Sequence, residues 1–280
     1  MTQRILVTGA TGTVGRHVTA LLAESGAEVR ALARRPAALP PAVEGVPADL
    51  SAPGSLRAAV EGVEAVFLVW PFASAEGLET VLAAVAGHAR RVVYLSSAAV
   101  RDHERQAEEL IERSGMEWTF LRPHAFAANA LRWAERIRAG QAVREPYGRA
   151  AMALVHERDI AAVAVRALTR DGHAGAVHEL TGPHSLTQTE QAHVLGEVIG
   201  HSVRWEEASP DEARRGMLAR GWPAAAVDGV LRAQAAMTAG PARVTTTVEE
   251  VTGRAARTFR SWVSEHADAF RPAARLSDLG

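Results

Sequence analysis

The sequence has neither cysteine nor lysine among its 280 residues. The absence of thiols excludes disulfide bonds, cysteine nucleophiles and cysteine-ligated zinc sites. The absence of lysine means that all 31 residues counted as lysine or arginine are arginine. Because arginine stays protonated and does not act as a proton shuttle, any mechanism that needs a lysine ammonium is excluded.

A strong net charge and long apolar runs are absent as well. The formal net charge is -1, so the sequence has no electrostatic signature of nucleic acid or anionic lipid binding. Charged residues or glycines interrupt the longest apolar runs well short of a membrane span. Because the first residues lead directly into a predicted strand, we expect no signal peptide. We therefore predict a cytoplasmic protein with no nucleic acid or membrane partner, and we allow a homodimer.

The strongest motif that is present is R-I-L-V-T-G-A-T-G-T-V-G at positions 4–15. A short apolar run, three glycines and an amphipathic pattern indicate a buried strand, a turn and a helix. In such a unit Gly9 permits the sharp turn, Gly12 lets a pyrophosphate approach the backbone, and Gly15 lets the helix pack closely on the sheet. The helix N-terminus attracts the phosphates. The motif predicts a dinucleotide site, the alternative being a glycine turn without a ligand.

The end of the second predicted strand, at 28–33, bears on the choice of nucleotide. An acidic residue at this position would hold a ribose 2′-hydroxyl, whereas an arginine accommodates a 2′-phosphate. Arg34 follows the strand and Arg35 comes next, while Glu28 lies at its start. The pattern favours NADP(H) and does not exclude NAD(H). The alternative is a solvated basic loop.

Strands alternate with helices as far as Pro123, which predicts an α/β fold with a doubly wound parallel sheet. Further strands of this sheet are predicted at 46–49, 65–69, 91–95 and 118–121. We predict an NAD(P)-binding Rossmann domain over 1–123. A smaller, mixed substrate-binding region would cover 124–280 and partly interleave with the Rossmann sheet. In that region we expect a helix over 124–139, a strand over 151–155 and a mostly helical segment over 248–270.

Ligands of doubly wound sheets bind at the carboxyl ends of the strands, and this edge supplies the candidate cofactor contacts. Asp49 and Leu50 are expected beside the adenine, although Asp49 suits a helix cap equally well. Trp70 is expected beside the nicotinamide ribose, although a core tryptophan explains it as well. The full set of predicted contacts is Gly9, Thr11, Gly12, Thr13, Val14, Gly15, Arg34, Arg35, Asp49, Leu50, Val69, Trp70, Pro71, Ser96, Ser97 and Pro123.

Seven motifs follow one another in order along the chain: T-G-A-T-G-T-V-G at 8–15, A-L-A-R-R-P at 31–36, V-V-Y-L-S-S at 92–97, S-G-M-E-W-T-F-L-R-P at 114–123, H-E-R-D-I-A at 156–161, E-L-T-G-P at 179–183 and R-T-F-R-S-W-V-S-E-H at 257–266. This ordered set resembles the NmrA-like atypical short-chain dehydrogenase/reductase family. The resemblance implies the fold of extended short-chain dehydrogenases and a nicotinamide cofactor. It also implies that the Ser/Tyr/Lys apparatus can be missing, as it is in many members.

The chain departs from the tyrosine–lysine pattern. Its two tyrosines, Tyr94 and Tyr147, are each followed four residues later by an alanine, at Ala98 and Ala151. A tyrosine hydroxyl whose pKa is lowered by a neighbouring lysine cannot be assembled from this sequence. Hydride transfer remains feasible, because the cofactor carries that chemistry and the protein orients it.

Histidines are the candidates for a replacement general acid. His124 directly follows Pro123, and His103 begins the helix after Ser96 and Ser97, so either could protonate a developing oxyanion; a packing or solvated histidine is the alternative for each. The two serines are expected to hydrogen-bond the nicotinamide or a substrate carbonyl. The 11 histidines form no H-x-x-x-H or H-E-x-x-H pattern, so no metal site is predicted.

The leading hypothesis is an NADP(H)-dependent oxidoreductase that acts on a quinone or another aromatic compound. Hydride addition to a quinone yields a delocalised phenolate, which suits a site without a strong acid, and the family includes quinone reductases. One alternative is a tailoring enzyme that oxidises an aromatic, polyketide-type natural product. The other is a non-catalytic regulator that senses NAD(P) and binds a protein partner.

Overall fold

The computed structural model describes residues 3–32 and 39–271. The strands in these ranges are β1 (Arg4–Val7), β2 (Glu28–Leu32), β3 (Val43–Val46), β4 (Ala65–Leu68), β5 (Arg91–Leu95), β6 (Glu117–Pro123), β7 (Val143–Glu145), β8 (Ala151–Met152), β9 (Ala176–Leu180), β10 (Leu186–Thr187) and β11 (Trp205–Glu207).

The α-helices in the same ranges are α1 (Gly15–Glu24), α2 (Arg57–Val60), α3 (Leu78–Ala86), α4 (Asp102–Arg113), α5 (Ala134–Arg138), α6 (Glu157–Thr169), α7 (Gln188–Ile199), α8 (Pro210–Ala219), α9 (Ala224–Ala236), α10 (Thr247–Thr252) and α11 (Phe259–Glu265). Short 3-10 turns occupy Pro53–Leu56, Ala127–Trp133 and Ala267–Ala269.

The first of two compact units, unit 1, contains the described residues of 1–124, 157–180 and 245–255. Its sheet has seven parallel strands in the order β3-β2-β1-β4-β5-β6-β9. Val7 of β1 pairs with Ala31 on one side and with Phe67 on the other. The strand order therefore reverses beside β1, which is where doubly wound sheets bind their ligands. The predicted fold class is confirmed.

The sheet of unit 1 is buried on both faces in its centre. All four residues of β4, A-V-F-L, are buried, as expected for a central parallel strand covered by helices. On one face Leu6, Val66 and Val92 form an apolar core with Leu78 of α3 and Ile111 of α4. This packing fixes the strands, and therefore the loops that leave their carboxyl ends.

Unit 2 contains residues 125–156, 181–244 and the described part of 256–280. It has two small sheets, an antiparallel pair of β8 with β10 and a parallel pair of β7 with β11. Its apolar core is built around Trp133, Leu195, Phe259, Trp262 and Phe270. This mixture of helices and short strands matches the mixed architecture predicted for the C-terminal region.

Several predicted element boundaries were wrong. The third strand is at 43–46 rather than 46–49, because Pro47 has no N–H to donate to a ladder, whereas Val43–Val46 pairs with β2. The helix expected over 124–139 is an extended link, a 3-10 turn and the short α5. Phe126 has an extended backbone, with a ψ of 142°, and forms a parallel bridge with Val155, so a continuous helix cannot run through it.

Two further segments are shorter than predicted. The strand expected over 151–155 is limited to β8, because Gly182 and Ala125 bond the backbone of Ala153 and Val155 outside any ladder. The helical segment expected over 248–270 breaks at Gly253, whose φ of +70° ends α10. The assignment of 1–123 to a Rossmann domain and of 124–280 to a substrate-binding region stays a prediction.

Candidate functional site

The turn between β1 and α1 has little space for side chains. Gly9 has a φ of +61°, and the Gly12 amide donates to its carbonyl over 2.9 Å. A Cβ on Gly15 would lie 2.1 Å from the same carbonyl oxygen, and one on Gly12 would lie 3.1 Å from it. Glycine is therefore needed for the turn itself at Gly9 and Gly15, while Gly12 stays exposed. An exposed backbone before a helix N-terminus is the surface that a pyrophosphate requires.

A cavity of about 440 Å³ opens at this carboxyl edge of the sheet. It is bounded by the ends of β1, β2 and β4 and by the turn after β3. Its lining residues are Gly9, Thr11, Leu32, Ala48, Asp49, Leu50, Ser51, Val69, Pro71 and Phe72. Six of the predicted cofactor contacts are thus brought together, and the residues present fit a dinucleotide.

Several other predicted cofactor contacts do not line this cavity. In the glycine motif, Thr13 is exposed and Val14 is buried at the start of α1. Pro123 ends β6 and pairs with Leu180 of β9. Arg34 and Arg35 lie outside the described residues.

Asp49 and Leu50 serve the turn and the core as well as the cavity. One Asp49 carboxylate oxygen accepts hydrogen bonds from the Ser51 amide at 2.9 Å and the Ser51 hydroxyl at 2.8 Å. This is an Asx turn rather than the predicted helix cap, because Ala52 and Leu56 occupy the N-cap positions of the following 3-10 turn and of α2. Leu50 is 7% exposed and belongs to the apolar core. A nucleotide would therefore find both side chains already held in place.

Phe72, rather than Trp70, lines the cavity. The Trp70 side chain is 9% exposed and packs in the core, and its Nε1 donates to the Ser74 carbonyl over 2.7 Å. The two rings meet edge to face with centroids 4.8 Å apart. Trp70 is thus a core tryptophan that also supports the Phe72 ring at the cavity. The sequence had left open a core position and a position beside the nicotinamide ribose.

Thr8 was missed by sequence reasoning, although it joins the two strands beside the cavity. Its buried hydroxyl accepts from the Val69 amide at 2.7 Å and lies 3.1 Å from the Val69 carbonyl oxygen. The Thr8 amide also donates to the Phe67 carbonyl. The hydroxyl therefore extends the β1–β4 pairing beyond the last residue of each strand. A polar residue directly after a buried strand was the available signal.

We expect Thr8→Val to lower the free energy of unfolding by about 1–3 kcal/mol, because the isosteric valine leaves the Val69 amide without its acceptor. Thr8→Ser keeps the hydroxyl and is the matched control. Urea unfolding followed by circular dichroism measures both changes. Equal midpoints for Thr8→Val and the parent would show that the hydroxyl contributes nothing to this edge.

Ser96 and Ser97 follow β5, and two carboxylates of α4 lie in the same region. The buried Ser96 hydroxyl donates to Glu108 over 2.6 Å, and Arg122 of β6 holds the same carboxylate through its Nε and Nη2 atoms at 3.0 and 2.6 Å. Burial opposes ionisation of Glu104, but hydrogen bonds from the Arg101 side chain and amide outweigh it and hold its pKa below the usual value. Ser96 is therefore oriented by a charged cluster that the sequence did not reveal, whereas the buried Ser97 hydroxyl has no hydrogen-bond partner among the described residues.

Tyr94 lies in the same region and is 2% exposed. Burial raises the pKa of its phenol, and the Glu104 and Glu108 carboxylates raise that pKa further. The environment thus acts in the opposite sense to a catalytic tyrosine, whose pKa must fall.

His124 forms a side-chain pair with a carboxylate at the end of β9. Its Nε2 lies 2.7 Å from Oε1 of Glu179, and the two side chains are 25% and 30% exposed. The backbone amide of His124 donates to the Leu180 carbonyl, and the Thr245 hydroxyl donates to the Glu179 carbonyl. The imidazole is consequently held at the carboxyl edge of the sheet. His103, the other predicted acid, is half-buried in the first turn of α4.

In the described ranges, no group of three or more histidine, aspartate or glutamate side chains could hold a metal ion. Nor does any helix in the described part of the chain have both the length and the apolar character needed to cross a membrane.

Comparison with known proteins decides the family. The family model described as NAD(P)H-binding matches residues 9–171. The chain belongs to this NAD(P)H-binding family. The match contains the glycine turn, the cavity and the Ser96–Glu108 cluster, and it confirms both the resemblance to the NmrA-like atypical short-chain dehydrogenases and the predicted nicotinamide cofactor.

Relatives match over nearly the whole chain. A (4-alkanoyl-5-oxo-2,5-dihydrofuran-3-yl)methyl phosphate reductase of Streptomyces griseus is 43% identical, covering 96% of this chain and 99% of the relative. An NAD(P)H azoreductase of Xenophilus azovorans is 34% identical over 95% of this chain and 99% of its own length. The structure of an NADPH-dependent quinone oxidoreductase of Escherichia coli covers 94% of this chain and 99% of its own, with 24% identity and a TM-score of 0.78. That last likeness concerns the fold.

Proposed function

We propose that the protein is an NADPH-dependent reductase that transfers hydride to a conjugated electrophile, of which a quinone or another aromatic acceptor is the main example. The observation that carries this proposal is the arrangement along one sheet edge: a glycine cradle and cavity beside β1, and the His124–Glu179 pair at the ends of β6 and β9. The oxidoreductase class itself is supported by the relatives named as reductases over nearly their full length.

The cofactor would lie along the cavity at the carboxyl edge. The exposed backbone from Thr11 to Thr13 and the N-terminus of α1 would hold the pyrophosphate. Asp49 and Leu50 would border the adenine, and Phe72 would border the other end of the cavity. Arg34, with Arg35 beside it, would take the 2′-phosphate. When bound, the reduced nicotinamide supplies the hydride.

The proton would come from His124 rather than from a tyrosine. Tyr94 is unsuited to act as an acid, because burial raises its pKa and the chain has no lysine to lower it. The Glu179 carboxylate holds one imidazole nitrogen over 2.7 Å and orients the ring, which leaves the other nitrogen for the acceptor. The imidazolium then donates a proton to the anion that forms on the acceptor.

The proposed acceptors share one chemical property. The names of the relatives indicate an unsaturated lactone that carries an alkanoyl group, an azo compound and, for the structural neighbour, a quinone. In each of these a multiple bond is conjugated with a group that delocalises the negative charge left by hydride addition. Such acceptors need less help from a strong acid, which is consistent with a site built around a histidine.

The test is a nucleotide titration followed by turnover. We expect calorimetry to show tighter binding of NADPH than of NADH. Adding menadione, an azo dye or a 3-acyl butenolide should then cause loss of the reduced-nicotinamide absorbance. Arg34→Ser should weaken NADPH binding by about tenfold, because a charge-assisted contact to the 2′-phosphate is lost, and should leave NADH binding unchanged.

The exposed Arg57, on α2, provides the matched control Arg57→Ser. NADPH binding without oxidation by any acceptor would contradict the reductase proposal and favour the regulator. Reduction of NADP⁺ by a phenolic substrate alone would favour the tailoring oxidation. If the Arg34→Ser variant bound NADPH and NADH each with the affinity of the parent, Arg34 would be excluded as the residue that selects NADPH.

A further inference from the structure

Unit 2 has a cavity of its own, of about 750 Å³. Its walls come from the 3-10 turn before α5, from α5 and β7, and from α8 and α9. Four arginines line it, namely Arg132, Arg136, Arg144 and Arg220, against three glutamates, Glu135, Glu145 and Glu212. The apolar part of the wall includes Met217 and Val230. The lining is therefore amphipathic with an excess of positive charge.

The guanidinium groups are held in place rather than loosely solvated. Arg132 lies over the Trp133 ring at 4.8 Å and donates from Nη2 to the Gln188 side chain over 2.9 Å. Arg136 donates from Nε to the Ala142 carbonyl over 2.8 Å. Arg132 also donates from Nη1 to the Asn129 carbonyl over 3.4 Å, and its Nε lies 3.6 Å from Oε1 of Glu145, so its donor fork is largely used within the protein. The contact of Arg136 uses only part of its fork, and its other N–H groups are the ones that an anion can meet.

Arg144 and Arg220 complete the positive part of the wall. Arg144 pairs with Glu212 over 3.0 Å. Arg220 directly follows α8 and also lines the cavity. A phosphate or carboxylate group matches the planar donor forks of such a cluster.

Two buried polar atoms in the same wall have no hydrogen-bond partner among the described residues. One is the Nε1 donor of Trp133, a residue that is 1% exposed, and the other is the Oε1 acceptor of Gln234. A buried donor and acceptor without partners carry an energetic penalty that a ligand group or a water molecule would relieve. Both residues line this cavity, so the unused hydrogen bonds and the guanidinium groups point to one site.

We propose that this cavity of unit 2 is a binding site for an organic anion, a molecule with a phosphate or carboxylate group and an apolar body. The anion lies on the arginine cluster, the apolar body lies along Met217 and Val230, and a hydroxyl group accepts from Trp133 Nε1 and donates to Gln234 Oε1. The site is made of unit 2 residues alone and needs neither the nucleotide nor the proposed hydride transfer. Its existence and the proposed reductase activity can therefore fail independently.

The first test is calorimetric titration of the whole protein, without nucleotide, with n-octyl phosphate, octanoate, n-octanol and inorganic phosphate. We expect one octyl phosphate to bind per chain, and we expect octanol and inorganic phosphate to bind at least about tenfold more weakly, because each lacks one half of the complementarity. Octanoate distinguishes a site for phosphates from one for carboxylates. Equal binding of octanol and octyl phosphate would overturn the proposal.

Two pairs of variants locate the site. Gly216 lies in α8 on the cavity wall, and a Cβ there would meet only the far end of Arg220 at 3.8 Å, whereas Gly229 lies in α9 away from the lining and has open space. Gly216→Leu should abolish octyl phosphate binding by filling the cavity, and Gly229→Leu should leave it unchanged. Arg220→Gln should weaken binding by about tenfold, and Arg215→Gln, on the same helix but outside the lining, should not.

Circular dichroism melting of all four variants shows whether each is folded. Octyl phosphate binding that survives both Gly216→Leu and Arg220→Gln would place the ligand elsewhere and overturn the proposal. NADPH oxidation, measured in parallel with Gly216→Leu, reports separately on the reductase activity.

Discussion

Gly15→Ala is expected to destroy nucleotide binding by preventing the first βα unit from folding. The new Cβ would lie 2.1 Å from the Gly9 carbonyl oxygen, 2.7 Å from the Gly9 carbonyl carbon and 3.1 Å from the Ala10 Cα. These are backbone atoms of the turn, so no side-chain rotation can relieve the contact. In an open helical position the same substitution would stabilise the protein by about 1 kcal/mol. The predicted change in the free energy of unfolding thus has the opposite sign to the change expected from helix propensity alone.

We expect Gly15→Ala to lower the free energy of unfolding by more than about 4 kcal/mol, the range reserved for severe steric and backbone defects. Gly54→Ala is the control, because a Cβ there has no neighbour within 4 Å. Gly12→Ala is an intermediate case, with its Cβ 3.1 Å from the Gly9 oxygen. It should fold yet bind NADPH about tenfold more weakly, since its methyl group stands where a phosphate would approach.

Thermal melts and NADPH titrations measure these three variants together. If Gly15→Ala melted within a few degrees of the parent and bound NADPH normally, helix α1 would have to lie farther from the Gly9 turn than the structure shows. A stable Gly15→Ala variant without nucleotide binding would separate the role of the glycine in the site from its role in the fold.

The glycine turn could be predicted from the sequence because its requirements are local. The spacing of Gly9, Gly12 and Gly15 specifies a turn, an exposed backbone and a close helix contact within seven residues. By contrast, the third strand was displaced by three residues, because its register depends on pairing with β2 as well as on its own composition.

The partners of the candidate catalytic residues could not be predicted in the same way. Glu179 is 55 positions from His124, and the two meet only because β9 is inserted beside β6. Glu108 reaches Ser96 because the buried face of α4 includes charged side chains. The charges along this helix did not reveal which of them would be buried. The unit 2 cavity is formed by α5, β7, α8 and α9 together, so no single sequence motif predicts it. Long-range pairing, rather than composition, decides these contacts.

His124→Gln is expected to reduce kcat/KM by about 10²–10³-fold, the usual contribution of a positioned general acid. Glutamine can still hydrogen-bond Glu179 but cannot donate the proton. NADPH affinity should stay the same, since the cavity beside β1 is formed by other residues. His88→Gln is the control, because His88 is exposed after α3. Steady-state kinetics and NADPH titration measure both variants.

The choice of acceptor distinguishes an acid from a residue that only supports the structure. The decrease should be larger for acceptors that yield a basic anion, such as an azo dye, than for menadione, whose reduced form is a delocalised phenolate. Glu179→Gln should cause a smaller decrease, of about tenfold, by loosening the ring without removing it. A His124→Gln variant that retained full kcat/KM with every acceptor would exclude His124 as the acid and would make His103, in the first turn of α4, the next residue to replace.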